Sequence, residues 1–509
     1  MWSFILYPIA LVLLYIGFIV VKELISLYRT KFYVAQGFQK MYIPFIGVFG
    51  TLAATKDKPQ DGVALLKEKV QEAQNNNIPG IVFNHQRDNA ALILLTDLKL
   101  IREFFLKEIE VSHRKSLIEP PMYIPFFWEN TEEALYKRTI FAEFFRAENL
   151  TRCIGDVAEV AQKNIAILRE KILSSEKKEI DIDMNQEMVR WIQEIAETTI
   201  LSNKEQRLTV DGKPVASVLY EALQRINSVD GGFHIANLLT FGVAGNLGLI
   251  PALREGMKLY RSAEKVVFQA YREREKVPTE QLTTTILDVM IRHNRGNPKY
   301  LLTEKDAIGY MITFIFAGVD TASRFMQNSM YCLAKNVDLQ KKIREEVKQY
   351  DLTRPGINFE DLDKSEGLNG LYKETLRVFT PAQSNFERKL MKDFTLGPYH
   401  FRKGDFISIQ LVGFMNSTQC TEDPDTFDAS RFSKSAPTNK KVNTQSFIPF
   451  SLGKRNCVGQ LLAEMLFKVT FANFVSGLEV TIPLNDNTHV WRSNPLYSID
   501  HLDVQLRIC

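Results

Sequence analysis

Phe450-Ser451-Leu452-Gly453-Lys454-Arg455-Asn456-Cys457-Val458-Gly459 is the stretch on which the reading of this chain turns. Its glycines permit a tight turn whose backbone N–H groups point inward. Arg455 adds a fixed positive charge two residues before Cys457. From Cys457 to about Ser476 the apolar spacing predicts a helix. A thiol at a helix start, beside such donors, has its thiolate favoured by the helix dipole. Cys457 is therefore a candidate soft metal ligand or nucleophile. The competing reading of any lone cysteine is a small buried hydrophobe, and that is the expectation for Cys153, Cys332, Cys420 and Cys509.

Outward from this loop the pattern is mainly helical. Leu65 to Gln74 and Ile154 to Leu173 carry apolar residues at helical spacing. Thr303-Glu304-Lys305-Asp306 reads as a capping box that opens a long apolar helix to about Asn336. Strand-like pieces are short: Ile81 to Phe83, Ala91 to Leu95, and Phe406 to Leu411. The expected fold class is mainly α with a small β portion.

The N-terminus speaks to location. Trp2 to Val21 carries no charged residue, and at about 1.5 Å per residue it spans roughly 30 Å, the hydrocarbon thickness of a bilayer. Pro8 inside it is tolerated in a membrane helix. A cleaved signal peptide needs a basic segment before the apolar core and small residues at the cleavage point. Here no side-chain charge precedes the core, and Lys22, Arg29 and Lys31 follow it. Residues 1–27 are expected as a transmembrane anchor, 28–50 as a linker and 51–509 as the body of the chain, on the cytosolic side. Gly231 to Leu253 also lacks charge and is expected to touch the membrane surface as a loop between helices.

The 509 residues are 45% hydrophobic and 24% charged, which fits a globular chain with a large core. A net charge of +3 gives no reason to expect nucleic-acid binding. Five dispersed cysteines make neither a disulfide framework nor a zinc spacing and suit a reducing compartment. No Walker loop, nucleophile elbow or dinucleotide fingerprint occurs, so electrons for any redox chemistry must come from another protein.

The Cys457 segment resembles the haem-binding signature of the cytochrome P-450 family, phenylalanine-x-x-glycine-x-arginine-x-cysteine-x-glycine. Phe450, Gly453, Arg455, Cys457 and Gly459 fill its fixed positions. The resemblance extends over about residues 40–509 and implies haem b with Cys457 as iron ligand. It places the haem between the long central helix and the cysteine loop, behind one N-terminal transmembrane helix. Other motifs follow in the family's order. Glu374 and Arg377 resemble its glutamate-x-x-arginine pair, although Glu143/Arg146 and Glu187/Arg190 share that spacing and such pairs are commonly solvated helix faces. Arg431, in Ala429-Ser430-Arg431-Phe432, stands for the arginine that completes a buried structural triad with them. Ala317 to Thr321 resembles the oxygen-activation motif, in which Asp320 and Thr321 would organise proton delivery through water. A helix threonine that bonds its own backbone is the alternative. Arg455, Arg388 and Arg138 match family arginines that hold haem propionates. At the tryptophan position before Arg138 this chain has Ala134.

The resemblance implies monooxygenation of a lipophilic small molecule in the endoplasmic reticulum membrane. NADPH-cytochrome P-450 reductase would supply the electrons, with cytochrome b5 as an auxiliary donor. Lys440, Lys441, Lys454 and Lys468 are expected to form a basic face towards that donor. Two other classes stay open: a haem-thiolate isomerase or dehydratase acting on a peroxide without a reductase, and a non-catalytic haem-binding sensor. For substrate contact the candidates are Phe314, Phe316, Ala317, the segment around Gln383 and Asn385, and the loop Pro120 to Trp128.

Overall fold

A computed structural model of the chain describes residues 17, 20, 21, 24–41, 59–85, 90–114, 131–201, 208–228, 251–282, 285–382, 387–482, 491–493, 497–499 and 502–509. Most of Trp2–Val21, nearly all of Gly231–Leu253, the loop Pro120–Trp128, Gln383 and Asn385 lie outside these residues. Among the described residues no helix is long and apolar enough to cross a membrane.

The helical body is built on one continuous run. Thr303 caps Glu304–Ile315, its hydroxyl accepting from Asp306 N while the Asp306 carboxylate accepts from Thr303 N. Every residue from Asp306 to Ile315 is buried. A helix that is apolar all round has to lie inside the protein. The run continues through a π-helical turn at Phe316–Asp320 into Thr321–Lys335. We refer to it as the central helix. Gln460–Gly477 is buried on nearly all sides in the same way, and its Phe467 stacks on Phe471 with ring centroids 4.4 Å apart. Glu366–Phe379 lies between these two, with Tyr372 edge-on to Phe325 at 5.5 Å.

The β portion is peripheral. One sheet has the order Gln39–Lys40, Gly80–His85, Ala90–Leu95, Phe406–Ser408, Arg388–Leu390, Ser112–Arg114. Ala90–Leu95, in its middle, is buried along its whole length. The strand expected to reach Leu411 ends at Ser408, and Leu411–Met415 is a short helix. Gly413 lets that helix pack closely, because a Cβ there would meet the Val70 side chain at 3.1–3.2 Å. The helix expected from Cys457 begins at Gln460. Cys457 N instead donates to Phe450 O at 2.9 Å and closes the preceding loop.

Part of the segment expected as a linker belongs to the body. Residues 24–34 are helical, with Ser26, Thr30 and Tyr33 fully buried. They dock on the sheet through the buried Asp405. Its carboxylate accepts from Arg29 Nε at 2.6 Å, Tyr33 Oη at 2.7 Å and Ala91 N at 2.9 Å.

Candidate active site

The cysteine loop is shaped by backbone. Ser451 and Gly453 have φ of 65° and 76°. A Cβ on Gly453 would lie 2.5 Å from the Phe105 carbonyl oxygen, so only glycine fits between this loop and the helix Leu98–Val111. Between Ser451 and Gly459 only Arg455 is buried. Cys457 is exposed, whereas Cys153, Cys332 and Cys420 are buried; Cys509, expected as a buried hydrophobe, is exposed as well. Burial pushes the Cys153 thiol up to about 11 and the Cys420 thiol up to about 12, and it also raises Cys332 and Cys509. A thiol that cannot ionise near neutrality is neither a good ligand nor a good nucleophile.

Beside the loop three arginines converge. Arg138, Arg388 and Arg455 are 7%, 1% and 2% exposed. The Arg138 guanidinium donates to the Asn456 carbonyl, next to Cys457. Arg388 Nε donates to Glu108 Oε1 at 2.8 Å. Burial, with the nearby charges of Arg138 and Arg388 and against the pull of Glu108, lowers Arg455 to about 10. Burying like charges together is costly unless an anion joins them. The two carboxylates of a haem are of the right charge and number to do so. Glu108 was not anticipated from the sequence. Its signal is position: it shares the apolar stripe of its helix with Ile101, Phe104 and Phe105, where an acid has to be paired.

The central helix, buried from Asp306 to Ile315, opens at its π-helical turn. Phe316, Ala317 and Gly318 are half-buried, as is Thr321, while Val319 and Asp320 face inward. A Cβ on Gly318 would meet nothing within 4 Å. π-Helical turns recur where a helix carries function. Thr321 Oγ1 donates to the Ala317 carbonyl, the bond a helix threonine ordinarily makes. Asp320 Oδ1 accepts from Arg324 Nε at 3.1 Å. Burial first, then the Asp320 charge, pushes the Tyr220 phenol up to about 12. Phe314 is 6% exposed and packs on Phe141 and Phe145 at 5.8 and 5.3 Å between ring centroids, which makes it core.

Glu374, Arg377 and Arg431 come together away from this opening. Glu374 accepts from Arg377 Nε and Nη2, both at 2.8 Å, and lies 3.3 Å from Arg431 Nε. Arg377 also donates to the Pro424 and Thr426 carbonyls, and Arg431 to those of Glu422 and Asp423. The pair thereby pins the 421–432 segment to the helix that carries it. Among the four lysines expected on a basic face, Lys468 does not belong there. Its side chain is 1% exposed and pairs with Asp363 and with Glu464, the latter at 2.6 Å. Its position on a helix buried nearly all round leaves the amine no path to solvent except towards those acids.

The family model described as Cytochrome P450 matches residues 55–496. This chain belongs to the cytochrome P450 family. Haem on a cysteine thiolate is the cofactor of that family, and the exposed Cys457 with its neighbouring arginines fits it. Cytochrome P450 3A41 of Mus musculus is 30% identical over 206 residues, 38% of this chain and 40% of that protein. Cytochrome P450 4Z1 of Homo sapiens is 32% identical over 221 residues, 42% of this chain and 43% of that protein. Each match thus spans about two fifths of the relative's own length. A crystal structure of the cytochrome P450DA heme domain superposes with a TM-score of 0.70 at 15% identity. It covers 93% of this chain and 98% of the other, and at that identity it speaks to the fold alone.

Proposed function

We propose that this cytochrome P450 is a membrane-anchored monooxygenase that inserts one oxygen atom from O2 into a lipophilic small molecule. Electrons come from NADPH through a flavoprotein reductase in the same membrane, with cytochrome b5 as an auxiliary donor. The observation that carries the reading is the opening of a buried central helix at Phe316–Gly318, in a chain whose exposed Cys457 sits beside three buried arginines. The haem supplies oxygen activation, with thiolate donation favouring O–O cleavage.

This chain's own residues do the rest. Cys457 ligates the iron, and its loop keeps the thiol exposed. Arg138, Arg388 and Arg455 bind and orient the propionates. Phe316 and Ala317 offer the substrate an apolar wall, and the bare Cα of Gly318 leaves room for a small molecule at the helix. Thr321 holds a proton at Oγ1, and Asp320 passes protons in from the Arg324 side. Gln383 and Asn385 are proposed as a polar contact in an otherwise apolar site. Trp2–Val21 anchors the body in the endoplasmic reticulum membrane as a single span, with the catalytic part cytosolic. Gly231–Leu253 makes a second contact with the bilayer surface.

Cys457→Ala tests the assignment. The red-shifted Soret band of the reduced carbon monoxide complex should disappear. Survival of that band in the variant would remove Cys457 as ligand.

A further inference from the structure

The Arg138 helix, Glu132–Phe144, carries a lysine directly before its arginine. Lys137 is 7% exposed, unusual for a lysine, which is almost never buried without a partner. Its Nζ donates to both carboxylate oxygens of Asp306 at 3.1 Å and lies 2.8 Å from Glu133 Oε1. Asp306 is itself the N3 residue of the capping box of the central helix, accepting from Thr303 N and Oγ1 at 2.8 Å each. The lysine amine is thus fixed to the first turn of that helix. Although burial opposes its charge, Glu133 and Asp306 raise Lys137 above the ordinary lysine range.

Neighbouring residues on a helix point about 100° apart. Lys137 and Arg138 therefore reach different walls, one the central helix and the other the Asn456 carbonyl beside Cys457. The same helix is held on the lysine side by Tyr136 against Tyr300 at 5.4 Å and by Phe141 against Tyr310 at 3.9 Å. Tyr310 lies on the central helix and Tyr300 just before it, so these contacts hold the two helices together. The Lys137–Asp306 pair adds a directional contact between them, and Lys299 adds another to Glu132. Ala134, one turn earlier, is buried and has no polar atom to offer the site.

We propose that Lys137 is a positioning residue of the haem site: locked to Asp306, it sets the rotation of the Glu132–Phe144 helix and so aims Arg138 at the cysteine loop and the propionates. The inference rests on the haem reading above, and its test separates the two. The full-length haem-loaded protein is mixed with excess apomyoglobin, and haem transfer is followed at the Soret band. Lys137→Met, Lys137→Arg and Asp306→Asn are made in the native and in the Arg138→Gln backgrounds.

Lys137→Met should speed haem loss about tenfold, as removal of outer-shell contacts does. Lys137→Arg, which keeps the charge and the reach, should restore most of the retention. In the Arg138→Gln background the Lys137→Met effect should largely vanish, because the group that it aims is gone. Asp306→Asn keeps an acceptor for the cap and should copy Lys137→Met, which covers the case in which the methionine variant does not fold. Equal acceleration in both backgrounds would overturn the proposal, as would a lowered melting temperature with haem loss unchanged. A wild-type protein without a Soret band would overturn the haem reading and this inference with it.

Discussion

Glu374→Gln is the substitution that most directly measures what the buried triad does. Glu374, Arg377 and Arg431 are 0%, 0% and 4% exposed. The carboxylate accepts from Arg377 twice at 2.8 Å and from Asp428 N at 2.9 Å, with Arg431 Nε at 3.3 Å. Glutamine keeps the shape but removes the charge, and its NH2 turns a donor towards a guanidinium. The net charge of the three side chains rises from +1 to +2 at a buried position. Removing one partner of a buried pair costs about 3–5 kcal/mol. The carbonyl contacts of Arg377 and Arg431 soften the loss but cannot neutralise charge. Unfolding entropy is about 2.1 cal/mol/K per residue, so for 509 residues about 1 kcal/mol corresponds to roughly 1 °C. The midpoint should therefore fall by about 3–5 °C, with haem content falling alongside, because the 421–432 segment is joined to the cysteine loop by the stretch 433–449. Far-UV circular dichroism against temperature and the reduced carbon monoxide spectrum measure the two effects. Glu187→Gln is the control. Its partner Arg190 has the same spacing but is 46% exposed, so the ion pair is worth less than about 1 kcal/mol, and a glutamine oxygen can still accept from Trp191 Nε1 as Glu187 does. Equal midpoints for the two variants, or full haem content in Glu374→Gln, would refute the reasoning.

Two further outcomes follow from the geometry. Thr321→Ala should leave haem and substrate binding nearly unchanged while the ratio of product to NADPH oxidised falls and hydrogen peroxide release rises; an unchanged ratio would take Thr321 out of proton delivery. Deleting residues 1–23 should remove the proposed anchor but leave the melting temperature close to that of the full chain, because the helix 24–34 with its buried Ser26 is kept. Deleting 1–40 should lower it by about 3–5 °C, since Asp405 then loses Arg29 and Tyr33. Equal melting of the two truncations would show that helix 24–34 contributes nothing, and full solubility of the shorter truncation without salt or detergent would remove the second membrane contact.

Most of the helical body was legible because it follows from local rules. The capping box at Thr303 and the unbroken apolar run behind it dictate a buried helix wherever they occur. The cysteine loop was legible for a different reason: a Cβ on residue 453 would lie 2.5 Å from the Phe105 carbonyl oxygen, and such a demand for glycine leaves a fixed letter in the sequence. What could not be read were choices made between distant side chains. Glu374/Arg377 and Glu187/Arg190 are alike on the page, and only packing makes one pair a fully buried hub and leaves the arginine of the other half exposed. Lys468 looked like a surface lysine until its helix proved buried nearly all round. Arg388 was expected on a propionate alone, and the chain supplies it with Glu108 from 280 positions away. Lys137 went unnoticed because nothing local distinguishes a lysine that will meet an aspartate 169 residues later. Buried charge explains all four cases. An ion in the core must find its counter-ion by tertiary contact, and that contact has no sequence period to betray it. The residues that local pattern does not reveal are therefore the charged ones that fix how the walls of the site stand to each other.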